Sequence, residues 1–290
     1  MSTPLGQLPI RRLTRSDVTI CADLSEDRGW PREEHKWGLL LASGTGYGID
    51  DPSGKGLVTA CVVTRYGPQS GQQGELAAIG MVLVAERFAR QGVGRRLMEY
   101  VIAETRETPL TLHATPYGRP LYEELGFGTV GSAEMVRGFF RLTGPVPQAT
   151  TRPATADDLP AILRLDAEAF GKDRTHMITR LPAFADQFRV AESDGALTGY
   201  GALWPNMETH VVGPLIARDT DTAKSLIASL AASTDRPLRT DIDVRHGELL
   251  HWLKSCGLAT VAFNTVMLRG AGELPGSWGR RFAPLTVAAG

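Results

Sequence analysis

The chain has 290 residues, 42% of them hydrophobic and 22% charged, which suits one large or two ordinary globular domains with an ample core. Lys and Arg number 31 against 32 Asp and Glu, a net charge of −1 that excludes the basic footprint of a nucleic-acid binder. Cys21, Cys61 and Cys256 show no metal-ligand spacing, the opening MSTPLGQLPIRR lacks a signal peptide's apolar core, and no run approaches the roughly 18 apolar residues of a membrane span. The expectation is a cytoplasmic chain with buried thiols, no metal and no membrane or nucleic-acid partner.

In chain order, residues 8–13 read as a short first strand, followed by capping chemistry at Thr14, Ser16 and Asp17 and a helix over 18–26. Gly29-Trp30-Pro31 breaks that helix, and Pro31 opens a second one to about residue 42. Residues 47–50 and the β-branched run 56–66 read as strands, with a polar turn over 67–74. The apolar run 79–84 reads as a buried central strand. From Arg95 the pattern is helical, with Leu97, Met98 and Val101 on one face. A strand at 110–114, a short helix at 118–125 and a strand at 129–140 close the first half. Residues 141–151 are a linker by composition.

Between the central strand and its helix stands Ala89-Arg90-Gln91-Gly92-Val93-Gly94-Arg95-Arg96. A strand, a glycine-bearing loop and a helix start make an anion site: the first helical N–H groups lack intrahelical partners, and the helix dipole adds positive charge. Gly92 and Gly94 let a ligand approach the backbone, and Arg90, Arg95 and Arg96 raise the potential. The alternative is a tight turn on a basic surface. A Walker loop is excluded because no Lys-Ser or Lys-Thr follows, and a dinucleotide fingerprint because its third glycine is Leu97.

The loop resembles the acyl-CoA loop of the GNAT (Gcn5-related N-acetyltransferase) superfamily, [RQ]-x-x-G-x-[GA] after a strand ending in valine, here Val84. Ala89 departs from the Arg or Gln usual at the first position, which removes one side chain and no backbone donor. Downstream, Tyr122-Glu123-Glu124-Leu125-Gly126-Phe127 matches the family's closing motif, with Thr115 where an Asn is frequent. The resemblance covers residues 1–140, and it implies acetyl-CoA as co-substrate, held by Met81, Val82, Leu83, Val84, Ala89, Arg90, Gln91, Gly92, Val93, Gly94, Arg95, Thr115, Gly118 and Tyr122. It further implies direct attack of an amine on the thioester, a backbone N–H near 81–84 polarising the carbonyl, and Tyr122 as acid for the leaving thiolate. Ala78 stands where many relatives carry a Glu base. His113, Glu75, Glu86 or a water relay are left for that role, or an amine that enters neutral and needs no base.

The resemblance also implies an acceptor at the first two helices, where Glu26, Trp30 and Trp37 lie among carboxylates that suit a cationic amine by charge and cation–π contact. A solvated acidic face is the alternative. The acceptor is then a small-molecule or peptide amine, its identity open, and pairing with a second copy of the chain is left open.

The second half repeats the order. Arg152 to Asp158 mirrors the first strand and cap, residues 159–170 are helical, and strands are expected at 188–191, 198–204 and 210–216. A helix at 222–232, a strand at 238–244, a short helix at 248–256 and a strand at 261–268 complete it. The expected fold class is α/β (α+β): two tandem GNAT folds, each a mixed, mostly antiparallel twisted sheet flanked by helices, with domains at 1–140 and 152–270 and an irregular tail at 271–290. The second loop, Arg218-Asp219-Thr220-Asp221, has no glycine and two carboxylates that repel a pyrophosphate, and Leu253 aligns with Tyr122. The second half is thus expected to be degenerate, either structural or shaping the acceptor pocket or a dimer, with Trp204, Asn206 and His210 the residues to follow. Two functions stay in view: an N-acetyltransferase, and a non-catalytic acyl-CoA-binding or scaffolding module.

Overall fold

A computed structural model describes residues 4–68, 74–145 and 149–290, so parts of the expected turn at 67–74 and linker at 141–151 lie outside the described residues. The first half runs β1 (Arg11–Leu13), α1 (Val18–Asp27), α2 (Glu34–Ser43), β2 (Thr45–Asp50), β3 (Leu57–Tyr66), β4 (Leu76–Val84), α3 (Val93–Thr105), β5 (Leu110–Ala114), α4 (Arg119–Glu124) and β6 (Gly128–Gly138). The second runs β7 (Thr150–Pro153), α5 (Leu159–Phe170), α6 (Thr175–Ile178), α7 (Leu181–Phe184), β8 (Gln187–Ser193), β9 (Ala196–Asn206), β10 (Thr209–Ala217), α8 (Thr220–Ala231), β11 (Leu238–Asp243), α9 (Gly247–Ser255), β12 (Ala259–Arg269) and β13 (Arg281–Ala283).

The repeat is visible in atomic detail. Thr14 and Asp17 form a capping box before α1, and Thr155 and Asp158 form the same box before α5. Each acidic residue also holds the arginine of the preceding strand, Arg11 to Asp17 at 2.7 Å and Arg152 to Asp158 at 2.7 Å.

The two halves share one sheet. All thirteen strands form one sheet, in the order β1-β2-β3-β4-β5-β12-β6-β11-β10-β9-β8-β7, with β13 pairing β10. The closing strands are exchanged. β12, from the second half, pairs antiparallel with β5, placing Thr265 opposite Ala114 and Arg269 opposite Leu110. β6, from the first half, pairs with β11, placing Leu238 opposite Gly138 and Asp243 opposite Ala133. β6 and β12 then pair with each other at the centre. Boundaries at 1–140 and 152–270 therefore divide a continuous sheet. Side-chain alternation reports which face of a strand is covered and not which strand lies beside it, so the exchange leaves no mark on the pattern. The largest apolar cluster is likewise shared, joining Trp37, Leu40 and Met81 to Met177, Phe184 and Trp204.

The tail, expected to be irregular, is built into this core. β13 lies antiparallel to β10, with Leu215 opposite Ala283, and Phe282 is buried. Leu285, Ala288 and Ala289 are buried too. The Tyr66 hydroxyl donates to the Ala289 carbonyl, and Arg174 Nη1 donates to the Gly290 carbonyl at 2.9 Å. Gly and Pro composition marks where a chain turns, and it does not exclude burial once neighbouring strands supply partners for the backbone.

Candidate functional site

The site is organised by an irregularity in β4. Ala60 pairs with Leu83 and Val62 with Gly80, so Met81 and Val82 stand opposite the single residue Cys61, a β-bulge. Met81 has φ of 53°, the left-handed region that a non-glycine residue seldom takes. β4 and β5 pair in parallel only from Ala77–Leu110 to Ile79–Leu112. Past the bulge the two strands part, and a wedge opens between them.

At the far end of the wedge, α3 begins on Gly92, whose φ is 77° and whose position offers no side-chain cap. The first N–H groups of this thirteen-residue helix therefore face outward. A Cβ on Gly94 would sit 3.1 Å from Val84 Cγ2, so glycine lets the helix start close against the end of β4. The arginines divide. Arg90 lines the cavity, Arg95 pairs with Glu124, and Arg96 is turned away to the carbonyls of Leu5 at 3.2 Å and Leu8 at 2.6 Å. The loop is braced from α1: Arg28 pairs with Glu86, and the Glu86 N–H donates to Asp27 Oδ2 at 2.7 Å.

A cavity of about 1120 Å³ joins the loop, the wedge and the region over α2. Met81, Val82, Leu83, Val84, Ala89, Arg90, Gly92, Val93, Gly94, Arg95, Thr115, Gly118 and Tyr122 all line it. Gln91 does not, and its side-chain amide donates instead to the Arg87 carbonyl at 3.1 Å. Tyr122 is 8% exposed. A Cβ on Gly118 would lie 3.1 Å from its ring and 3.5 Å from its hydroxyl, so glycine makes room for the phenol. Burial, with the neighbouring Cys61, pushes that phenol well above its ordinary range, so it holds its proton at neutral pH. His113 also lines the cavity. Burial, aided by the charge of Arg281, lowers it to about 4, and its Nδ1 is buried without a partner.

Three sequence candidates fall elsewhere. Glu75 precedes β4 at the end remote from the bulge and pairs with Arg65 at 3.1 Å. Glu26 is exposed and lies 3.6 Å from Arg32. Trp37 is fully buried between α1 and α2, its indole N–H donating to Ser25 Oγ at 2.9 Å. Nearness in sequence, among the same carboxylates, put Trp37 and Trp30 in one list, but of the two only Trp30 lines the cavity.

The end of the cavity over α2 holds residues that one half alone does not reveal. Glu33 and Lys36 come from the start of α2, and Arg239 comes from β11. The β9–β10 turn, with Asn206, Met207, Glu208 and Thr209, covers them, and Arg137 enters from the exchanged β6. Asn206 was legible as a residue to follow. Trp204 proves to be core, and His210 bonds Asp186 at 2.9 Å and Thr234 at 2.6 Å. Arg239 carried no local signal toward this site, because Glu33 and Lys36 stand some two hundred residues away in sequence.

The matching place in the second half is closed. The first turn of α8 is capped from within, Asp219 Oδ1 accepting from the Thr222 N–H at 2.8 Å. β10 and β11 pair in parallel only at His210–Leu238 and Val211–Arg239 before parting, and β13 lies along β10 beyond that point. Leu253, at the position aligned with Tyr122, is fully buried. Among the described residues no cluster of His, Cys, Asp and Glu is placed to hold a metal, and no helix is long and apolar enough to cross a membrane.

Comparison with known proteins agrees with this geometry. Two acetyltransferase (GNAT) domain models match, at residues 68–144 and 162–283. The uncharacterized N-acetyltransferase YitH of Bacillus subtilis (strain 168) is 33% identical over 245 residues, covering 82% of this chain and 83% of YitH. A Pyrococcus horikoshii protein assigned as an acetyltransferase superposes with a TM-score of 0.81 at 17% identity, over 100% of this chain and 98% of its own. A tandem GNAT protein from the clavulanic acid biosynthesis pathway gives a TM-score of 0.62 at 13% identity, over 90% of this chain and 98% of its own. The chain belongs to the GNAT acetyltransferase family, as a tandem GNAT protein.

Proposed function

We propose that the chain transfers an acetyl group from acetyl-CoA to a primary amine of a small molecule or peptide by direct attack, and that the first half alone takes the coenzyme. The observation that carries this reading is one cavity joining an uncapped helix N-terminus, a splayed strand pair and a buried protonated phenol. The residues present fit coenzyme A. The α3 N–H groups and Arg90 suit its pyrophosphate, and the wedge beside Met81 to Val84 suits the extended arm that ends in the thioester.

In the transfer, the amine nitrogen bonds to the carbonyl carbon as the carbon–sulfur bond breaks. Tyr122 holds the proton that the departing sulfur takes, and the phenol regains one from solvent. The backbone of the β4 bulge, fixed by its neighbours, is placed to donate to the carbonyl oxygen. His113, neutral at pH 7 with a free ring nitrogen, is placed to pass the surplus amine proton through water.

The test is acetyl-CoA consumption across a panel of amines, with thermal shift by CoA alongside. A thermal shift with no acetylation of any amine would favour the binding-module reading. Isothermal titration should give one CoA site per chain, and Gly94→Asp should abolish it by placing a carboxylate beside the diphosphate. Two sites of similar affinity would refute the assignment to the first half.

A further inference from the structure

The acceptor end of the cavity contains four buried charges drawn from both halves. Lys36 and Glu33 pair within α2 and its entry, and both are 5% exposed. Arg239 lies 3.9 Å from Glu33 and 3.5 Å from Asp241, both beyond ordinary hydrogen-bond length. Two cations face two carboxylates, so the cluster is neutral.

Its hydrogen bonding is incomplete in a patterned way. Glu33 Oε1, Asp241 Oδ1 and Asn206 Oδ1 are buried acceptors with no partner, and Arg239 Nε is a buried donor with no partner. Glu33, Asn206 and Arg239 line the cavity. Unmet buried groups are costly, and a ligand that meets them recovers that cost on binding. The unmet set asks for both kinds of group at once. A guanidinium edge with a free Nε–H is the fork that fits a carboxylate. The carboxylate and amide oxygens ask for an ammonium or other N–H donor. A ligand of one sign would leave the neutral cluster with an uncompensated buried charge, whereas a zwitterion adds none.

We infer that the acceptor is a small zwitterion, an amine and a carboxylate on one molecule, with its carboxylate held by Arg239 and its donor group by Glu33 and Asn206. This rests on the acetyltransferase reading above and adds the class of acceptor. Lys36, drawn down to about 7 by burial and by Arg239, is partly protonated at neutral pH, and burial raises the Asp241 carboxyl in turn, so the cationic and anionic sides weaken together and the cluster stays balanced.

The experiment compares matched pairs on the full-length protein: lysine, ornithine, histidine and tyrosine against cadaverine, putrescine, histamine and tyramine. Each pair differs by one carboxylate. Acetyl-CoA turnover is measured for all eight, and binding of all eight to the CoA-loaded protein is measured by isothermal titration. The amino acids should have the lower KM and the tighter binding. Arg239→Gln should raise KM for the amino acids by roughly 30-fold or more and abolish or reverse the preference within each pair. Arg239→Lys, which keeps the charge and loses the fork, should fall between. Should a variant fail to fold, the wild-type comparison of pairs still decides. Turnover that is equal or better without the carboxylate would overturn the inference and leave the acetyltransferase reading intact. If no amine is turned over, that reading falls, and titration still judges the zwitterion site: absence of amino-acid binding would overturn it.

Discussion

At the scale of residues, Tyr122 and His113 illustrate how burial sets a proton's place. The phenol is driven up and so keeps its proton at neutral pH, while the imidazole is driven down to about 4 and so is neutral there. Tyr122→Phe should lower kcat by about 10²–10⁴-fold with CoA affinity nearly unchanged, since an acid acts only as charge develops on sulfur. Full activity in that variant would remove the role. For His113 the sign follows from linkage. Its folded value of about 4 lies below the ordinary 6.5, so the unfolded chain binds the proton more tightly between those values. Its contribution to stability is intact above pH 6.5 and is lost as pH falls toward 4, by roughly 3 kcal/mol. His113→Asn should flatten the acid limb of a Tm-against-pH curve, and an unaltered limb would show that other groups govern it.

At the scale of elements, the β4 bulge and the tail form one device. A Cβ on Gly80 would lie 2.2 Å from the Ala288 carbonyl oxygen, so the tail backbone presses on β4 immediately before Met81. Val287 and Ala288 also line the cavity. Gly80→Ala cannot be absorbed by a flexible side chain, because the obstacle is backbone. It should cost about 1–3 kcal/mol in stability and shift the tail or the bulge. The expected signature is a drop in kcat larger than the change in CoA affinity, measured together with urea denaturation. Unchanged stability and kinetics would mean that the tail leaves β4 without consequence. In the second half the tail occupies the corresponding wedge as β13, which accounts physically for a GNAT half that keeps the strand order and offers no slot.

At the scale of the whole molecule, the exchanged strands make the halves mutually dependent. A chain of residues 1–145 would leave β5 without β12, and β6 without β11 and β12. Unpaired edges of this kind seek other strands, in aggregates or in a swapped dimer. The fragment should therefore be insoluble or oligomeric and lack acceptor turnover, as size-exclusion chromatography and the consumption assay would report. Co-expression with residues 146–290 should restore a soluble pair. A monomeric fragment with full-length kinetics would show that β6 can close the first half by itself.

The sequence by itself determined the local features. The glycines before α3, the Tyr122 motif, the duplicated capping boxes and the contrast between a glycine loop and an acidic one are short-range signals, each carried by a few adjacent residues. They were enough to read most of the elements and the family, and to propose which half takes the coenzyme. Only the tertiary structure decided what depends on neighbours distant in sequence: the exchange of β6 and β12, the burial of the tail against Gly80, the loss of Glu75 and Trp37 from the site, and the meeting of Glu33 and Lys36 with Arg239. Apolar periodicity gives each strand a covered face but no named partner, and a charged residue's role is set by which opposite charge, and how little water, the fold places beside it.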